Sequence, residues 1–438
     1  ITSLENNLDA TFANMSTNSD IRVFLDSAGT FTGVLGGAAV TLADGADITI
    51  AAGKAAGKTF NGDNDGSGTA GQVLVTLANA NAADKSADLT TITAQQDTTV
   101  GSVAVTDSLE FTGVLHATVS TTIADDAVMT VGAGIAKGHT LTDDGNLVGT
   151  AGKVILTLNS AKADDLNAVF STITVADATI QSIIVEDSLI FTGALHSTVA
   201  TTVADTAVLT TTYTKADAAF AINHDGTEAH QSLVATISQA EGEAVGASAV
   251  DLANIAGDIL ISALFTQSQT FVGNLRNKTA EVEAAVVLSV DAVFISGETV
   301  NGAGTVAVTN LQADDDANLD NITATTHTAS VSADNTNFTG DIGDAVVTVD
   351  TGATWTIDGG ATVNSGTAVA TGTITGDAAE LTTMVITGAG TVAVTNLQST
   401  EAANLNNITA TTHTASVSAS NTNFTGDIGD AVVTVDTG

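Results

Sequence analysis

The chain has 438 residues, with 49 Asp plus Glu against 10 Lys plus Arg and a formal net charge of −39. A surface this acidic repels nucleic acid and anionic lipid and attracts divalent cations. Cys and Pro are both absent, which excludes a disulfide scaffold and points to strands held between neighbours, because Pro cannot donate to a β ladder.

Aromatic residues are 3% of the chain while apolar residues are 44%. The apolar mass is Ala, Val, Ile and Leu beside abundant Thr, Gly, Asp and Asn, which is strand and turn material. Immunoglobulin-type sandwiches carry larger aromatic anchors in each module. A positive mean hydropathy of +0.30 and regular alternation argue against disorder. No apolar run reaches the roughly 18 residues of a membrane-spanning helix, and no signal peptide is visible.

In chain order, residues 1–25 read as a lead-in. Ser3 to Leu8 with Phe12 fits a short helix, and Ile21 to Leu25 reads as a strand. From Asp26 a repeat begins, marked by Phe-Thr-Gly and, two residues on, Leu or Ile. Its copies start at Phe31, Phe111 and Phe191, and a weakened one, Phe-Val-Gly-Asn-Leu, at Phe271, each 80 residues after the last. Two more start at Phe338 and Phe424, after steps of 67 and 86. A fixed period sets the architecture before any local reading. The expected units are 26–106, 107–186, a degenerate 187–266, a shortened 267–333, then 334–419 and the start of a sixth at 420–438.

Within a unit the strands alternate with period two, as in Thr354-Trp355-Thr356-Ile357, and the turns carry Asp, Asn and Gly. The stretch Ala240 to Leu264 of the third unit is Ala-rich and fits a helical turn or two. Asn321 to Gly352 and Asn407 to Gly438 differ only at Asp334 and Ser420. The last repeat stops inside a copy, so the expectation is a piece of a longer protein. The fold class expected is all-β, a repetitive β-solenoid of the parallel β-helix kind, with tandem β-sandwich modules as the alternative. A rod of stacked coils can lose 13 residues between a step of 80 and one of 67; a closed sandwich cannot easily do so.

Candidate chemistry is thin. Asn61-Gly62-Asp63-Asn64-Asp65-Gly66 matches the first half of an EF-hand-like loop, so Asn61, Asp63 and Asp65 are candidate Ca²⁺ ligands. The closing position is Gln72 rather than Glu, and the competing reading is an Asx/Gly turn. Asp314-Asp315-Asp316 becomes Thr400-Glu401-Ala402 in the next copy, and with Asp143-Asp144-Gly145-Asn146 it reads as a solvated turn. His116 and His196 share one repeat slot and His327 and His413 another, which marks them as structural. No Ser/His/Asp set stands out from the repeat, so no catalysis is expected.

The Phe-Thr-Gly strand, the Gly-x-Val-x-Val-Thr strand and the Asn-Leu-x-Asn-Ile-Thr segments at Asn318 to Thr323 and Asn404 to Thr409 resemble repeat regions of large secreted bacterial surface proteins, S-layer-like or filamentous and adhesin-like. The resemblance implies an extracellular or cell-surface structural protein without enzymatic activity. It would self-assemble into a filament, sheath or surface layer, with copies of itself and divalent cations as partners. The alternative is the stalk of a Ca²⁺-stabilised adhesin. The glycine-rich nonapeptide of RTX proteins is absent, so no site residues carry over from the resemblance.

Overall fold

A computed structural model describes residues 9, 11–12, 22–37, 39–63, 68–145, 149–226, 232–363, 366–382, 384–418 and 424–436. The expected helix over Ser3 to Leu8 lies outside them. The chain falls into two units, residues 1–210 with 218–232 and 256–259, and residues 211–217 with 233–255 and 260–438. Both are mostly β, and every strand pair described in them is parallel. An immunoglobulin-type sandwich is built from antiparallel sheets instead.

In the first unit one sheet runs Arg22–Leu25, Ala39–Leu42, Thr59–Gly62, Thr93–Gln95. A second holds Gly29–Phe31, Asp47–Ala51, Gly71–Leu77, Thr98–Val105, Thr121–Ile123, Thr140–Asp143 and Thr174–Ala176. A third holds Leu109–Phe111, Val128–Gly132, Lys153–Leu158, Thr179–Val185, Thr201–Val203 and Ile222–His224. Each strand pairs with the strand two places along the chain, so successive strands alternate between sheets and lie in rungs. The second unit keeps the parallel rungs, but some of its pairs join strands consecutive in the chain, such as Thr305–Thr309 with Thr326–Val331 and Thr391–Val394 with Thr412–Val417. One of its sheets runs from Gln269–Phe271 through Val287–Asp291, Thr305–Thr309, Thr326–Val331, Val346–Val349 and Thr367–Ala370 to Val385–Thr387. Another runs from Asn335–Phe338 through Thr354–Ile357, Thr373–Gly376, Thr391–Val394 and Thr412–Val417 to Val432–Val435.

The period-two pattern sets the core. In Asp47–Ala51, Ile48 and Ile50 are 0% and 1% exposed between outward Asp47, Thr49 and Ala51. Pairing keeps register, Ile48 over Val73 and Ile50 over Val75, so each inward side chain stacks on another. Full burial of one such residue contributes about 1.5–3 kcal/mol.

The marker motif is explained residue by residue. Its Phe points inward, with Phe31, Phe111, Phe191, Phe271 and Phe338 all at most 1% exposed. The next residue donates its N–H to the preceding rung, Thr112 to the Lys85 carbonyl at 2.8 Å and Thr192 to that of Leu166 at 2.7 Å. The Gly makes room for a backbone carbonyl. A Cβ on Gly113, Gly193, Gly340 or Gly426 would lie 2.1, 1.9, 2.2 and 2.1 Å from the carbonyl oxygens of Ala87, Ala168, Ala317 and Ala403. The residue after the Gly donates to that same oxygen, Val114 to Ala87 at 3.0 Å and Asp341 to Ala317 at 2.9 Å. Leu35, Leu115, Leu275 and Ile342 then return to the core.

Short helical turns recur where strands end, at Ala52–Ala55, Ala82–Lys85, Ala133–Ala136, Ala292–Ile295 and Ala378–Leu381. The expected turns between Ala240 and Leu264 are present as Gln239–Gly242, Gly246–Ser248 and Leu252–Asn254. The others escape a periodicity reading because four residues are one turn. Two buried acids tie them to the stack: Asp84 accepts from Gly53 N–H at 2.8 Å, and Asp165 from Gly134 N–H at 2.6 Å.

The paired His slot lies in the core of the second unit. The His327 ring is 1% exposed and its Nδ1 lies 3.0 Å from Asp344, whose side chain is 72% exposed; His413 and Asp430 repeat the geometry at 3.0 Å. Burial holds the His327 imidazole below its ordinary value of 6.5, and the exposed Asp344 offsets only part of this. The unfolded chain therefore binds the proton more readily, and the stability this group contributes is full above 6.5 and is lost as the pH falls through the lower folded value. The urea midpoint of the second unit is expected to drop between about pH 7.5 and pH 5, and His327→Leu is expected to flatten that drop. An unchanged slope would remove His327 as its cause.

Candidate metal centre

The acidic turns are built by two stacked segments of the first unit. One is a tight turn, Ala43-Asp44-Gly45-Ala46, repeated as Ala124-Asp125-Asp126-Ala127 and Ala204-Asp205-Thr206-Ala207. Each is closed by an N–H to carbonyl bond of 3.0 Å between its end residues. Its third residue takes positive φ, 66° at Gly45, 62° at Asp126 and 66° at Thr206. The other segment is the loop after the strand one rung on, which starts near Gly62, Asp143 and His224. Gly45 N–H donates to the Thr69 carbonyl at 2.7 Å, and Asp126 N–H to that of Thr150 at 2.8 Å.

In the middle repeat this stacking brings Asp125, Asp143 and Asp144 together, with one carboxylate oxygen of each within 4.8 Å of the others. Asp125 and Asp143 are half-buried and Asp144 is exposed. Gly152 N–H donates to Asp143 at 2.7 Å, the main reason its carboxyl is held below the usual range. Beside them Asp126 accepts from the Thr150 hydroxyl at 2.6 Å and its N–H at 3.1 Å, which holds it low as well. An all-oxygen set of this kind suits a hard divalent ion such as Ca²⁺.

Of the three residues singled out in the sequence, Asn61 lies on the strand Thr59–Gly62, and its side-chain amide donates to the Val40 carbonyl at 3.4 Å. Asp63 opens the loop that follows. Asp65 lies outside the described residues. Gln72 sits on the strand Gly71–Leu77 opposite Asp47. By rung position, Phe60 matches Leu141, so Gly62 stands where the middle repeat has Asp143, and Asp63 where it has Asp144. The third repeat has His224 and Asp225 there. Two acids thus recur per repeat, Asp44 with Asp63, Asp125 with Asp144, and Asp205 with Asp225, while the third ligand position varies as Gly, Asp and His. The local motif missed Asp125; the near-constant spacing of 19, 19 and 20 residues within those pairs was the signal that would have found it.

The other acidic run behaves as a turn. Asp315 accepts from the Asn335 amide at 3.0 Å, and its carbonyl accepts from Thr339 N–H at 2.7 Å. At the counterpart Glu401 the carbonyl likewise accepts from Thr425, from its N–H at 2.7 Å and its hydroxyl at 3.2 Å. Burial, and then Asp316, push the Asp314 carboxyl up. The His116 and His196 rings accept from Thr118 and Thr198 N–H at 3.4 and 3.2 Å, closing turns.

A cleft of about 500 Å³ in the first unit is lined by Glu110, His139, Lys162, Asp165 and Glu186 among others. Asp165 is spent on Gly134 N–H and on Asn159 N–H at 3.2 Å, and burial raises its pKa. Among the described residues no helix is long and apolar enough to cross a membrane. Comparison with family models, with curated proteins and with solved structures returns no match.

Proposed function

We propose that the chain is an extracellular structural protein, a β-solenoid whose coils stack into a filament, sheath or surface layer by self-association. One observation carries this reading: the residues that recur with the repeat serve the stack. The marker Phe and Leu fill the interior, its Gly admits a neighbouring carbonyl, and Asp84 and Asp165 bind the helical turns of neighbouring rungs to each other. The recurring His side chains close turns or lie in the core. Repeats that build stacked rungs make extended, quasi-one-dimensional structures, and a chain of net charge −39 needs counter-ions to bring copies together. The acidic turns would supply that dependence, with Asp125, Asp143 and Asp144 as the best-formed Ca²⁺ site. No catalytic role is assigned to the cleft beside Asp165.

Electron microscopy of the protein in Ca²⁺ and in EDTA tests both parts. Uniform fibres or sheets in Ca²⁺ that disperse in EDTA are expected. Isolated particles in both would contradict self-assembly and favour a stalk. The ion site has its own readout: Ca²⁺ is expected to raise Tm by mass action, and Asp143→Asn with Asp144→Asn to reduce that rise. An equal rise in the variant would place the ion elsewhere.

A further inference from the structure

The cleft of about 500 Å³ in the first unit lies between three pieces of chain: the marker segment at 110–114, the helical turn Ala133–Ala136 and the turn at 161–165. Each has a counterpart in the first repeat, fixed by shared hydrogen bonds. Asp84 accepts from Gly53 N–H as Asp165 does from Gly134 N–H. Thr106 N–H donates to the Leu77 carbonyl as Glu186 N–H does to that of Leu158, both at 3.0 Å. The two repeats can therefore be compared position by position at one place in the fold.

In the first repeat two lysines cross this gap. Lys54, third residue of the turn Ala52–Ala55, donates its ammonium to the Thr32 carbonyl of the marker, and Lys58 donates to the carbonyl of Gly36. In the middle repeat Ile135 stands in place of Lys54 and His139 in place of Lys58. The His139 ring bonds to the backbone of His116, the counterpart of Gly36. Burial holds its pKa below the ordinary 6.5, so it brings little charge at about pH 7.5. Ile135 has no donor to offer the Thr112 carbonyl.

The acids change in the opposite sense. Glu110, Asp164 and Glu186 stand where the first repeat has Thr30, Ala83 and Thr106. With Asp165 they set four carboxylates on the cleft against one Lys, Lys162, which replaces Asn81. Glu110, Asp164 and Glu186 are exposed, whereas the wall beside them is apolar, with Ile135 half-buried and Val114 47% exposed. One place in the fold has thus lost two ammonium groups of its own and gained three carboxylates and an aliphatic surface.

We propose that this cleft binds a primary ammonium carried on an aliphatic stem, the chemistry that Lys54 supplies from within the chain one repeat earlier. The ammonium donates to the Thr112 carbonyl as Lys54 does to that of Thr32, and the added carboxylates balance its charge. The stem lies along Ile135 and Val114, as lysine stems lie along apolar surface. A divalent cation has no stem, so the apolar wall selects the amine over Ca²⁺. The site is separate from the acidic centre at Asp125 and does not depend on the assembly reading.

Isothermal titration of the full chain with 1,5-diaminopentane tests this, in about 0.15 M salt to screen loose charge attraction. A single saturable site is expected. Ile135→Lys places the first repeat's own ammonium in the cleft and should weaken binding by about ten-fold or more. Glu110→Thr with Glu186→Thr, the residues found one repeat earlier, should weaken it several-fold, with thermal unfolding showing that each variant folds. Nα-acetyl-lysine amide is the second probe. Binding of the diamine alone would assign a free amine, and binding of both would assign a lysine side chain as sufficient; either supports the cleft. Binding of neither amine, or equal binding by the Ile135→Lys chain, would overturn the proposal. So would displacement of the diamine by an equal concentration of Ca²⁺, which would mean that charge alone draws it.

Discussion

Phe338→Ala is expected to lower the stability of the second unit by about 3–5 kcal/mol and to shift the emission of Trp355 to the red. Phe338 and Trp355 are both 0% exposed, with ring centroids 5.5 Å apart at 62°. The edge-to-face geometry adds roughly 0.5–1.5 kcal/mol beyond area burial. Phe338 stands on one rung and Trp355 on the next in the same sheet, so the deletion opens a cavity between rungs. Trp355 is the one Trp of the chain, which makes its fluorescence a local probe. Urea unfolding followed by fluorescence and by circular dichroism gives the two numbers. A loss below about 1 kcal/mol would mean that the rungs close over the gap and that the marker Phe is not a core anchor.

Gly113→Val is expected to be comparably damaging for a different reason. Even a Cβ at Gly113 would sit 2.1 Å from the Ala87 oxygen and 2.8 Å from the Ala87 carbonyl carbon. The obstacle is backbone, so no side-chain rotation relieves it. The rungs must part, and the Val114 N–H bond to that oxygen lengthens with them. Overpacking costs about 1–3 kcal/mol, occasionally more, and the lost backbone bond adds about 1 kcal/mol. Gly138 is the control: its Cβ would meet nothing within 4 Å, although its φ of 78° adds backbone strain. Gly113→Val should therefore destabilise more than Gly138→Val in thermal unfolding. Equal effects would mean that backbone conformation, and not close approach, explains the marker Gly.

The repeat was legible because its marker carries the strongest steric demand. A Phe that must be inward, a Gly that must lack Cβ and a Leu that must return to the core are bound to recur together. Strand existence was legible too, since Val347 and Val349 alternate with Thr348 as the period-two rule requires. The division at residues near 210 and 260 was not, because no change of composition marks it. The short helical turns outside Ala240 to Leu264 were missed because four residues leave no periodic trace. The acidic centre was half legible. Asp63 was singled out from a linear motif, but the carboxylates that meet come from separate rungs, as Asp125 and Asp144 do. A motif written along one loop cannot show a partner stacked from the loop beneath.

Spin labels placed on cysteines test the central claim, that neighbouring strands of a sheet stack in parallel register, in a chain with no Cys of its own. Thr354, Thr373, Thr391 and Thr412 form one outward row across four neighbouring strands. Pairing a label at position 354 with one at 373, 391 or 412 should give dipolar broadening that weakens in that order, as separation grows by about 4.8 Å per strand. Broadening that is absent for the 354/373 pair, or stronger for 354/376 than for 354/373, would mean antiparallel or unstacked strands and would contradict the account.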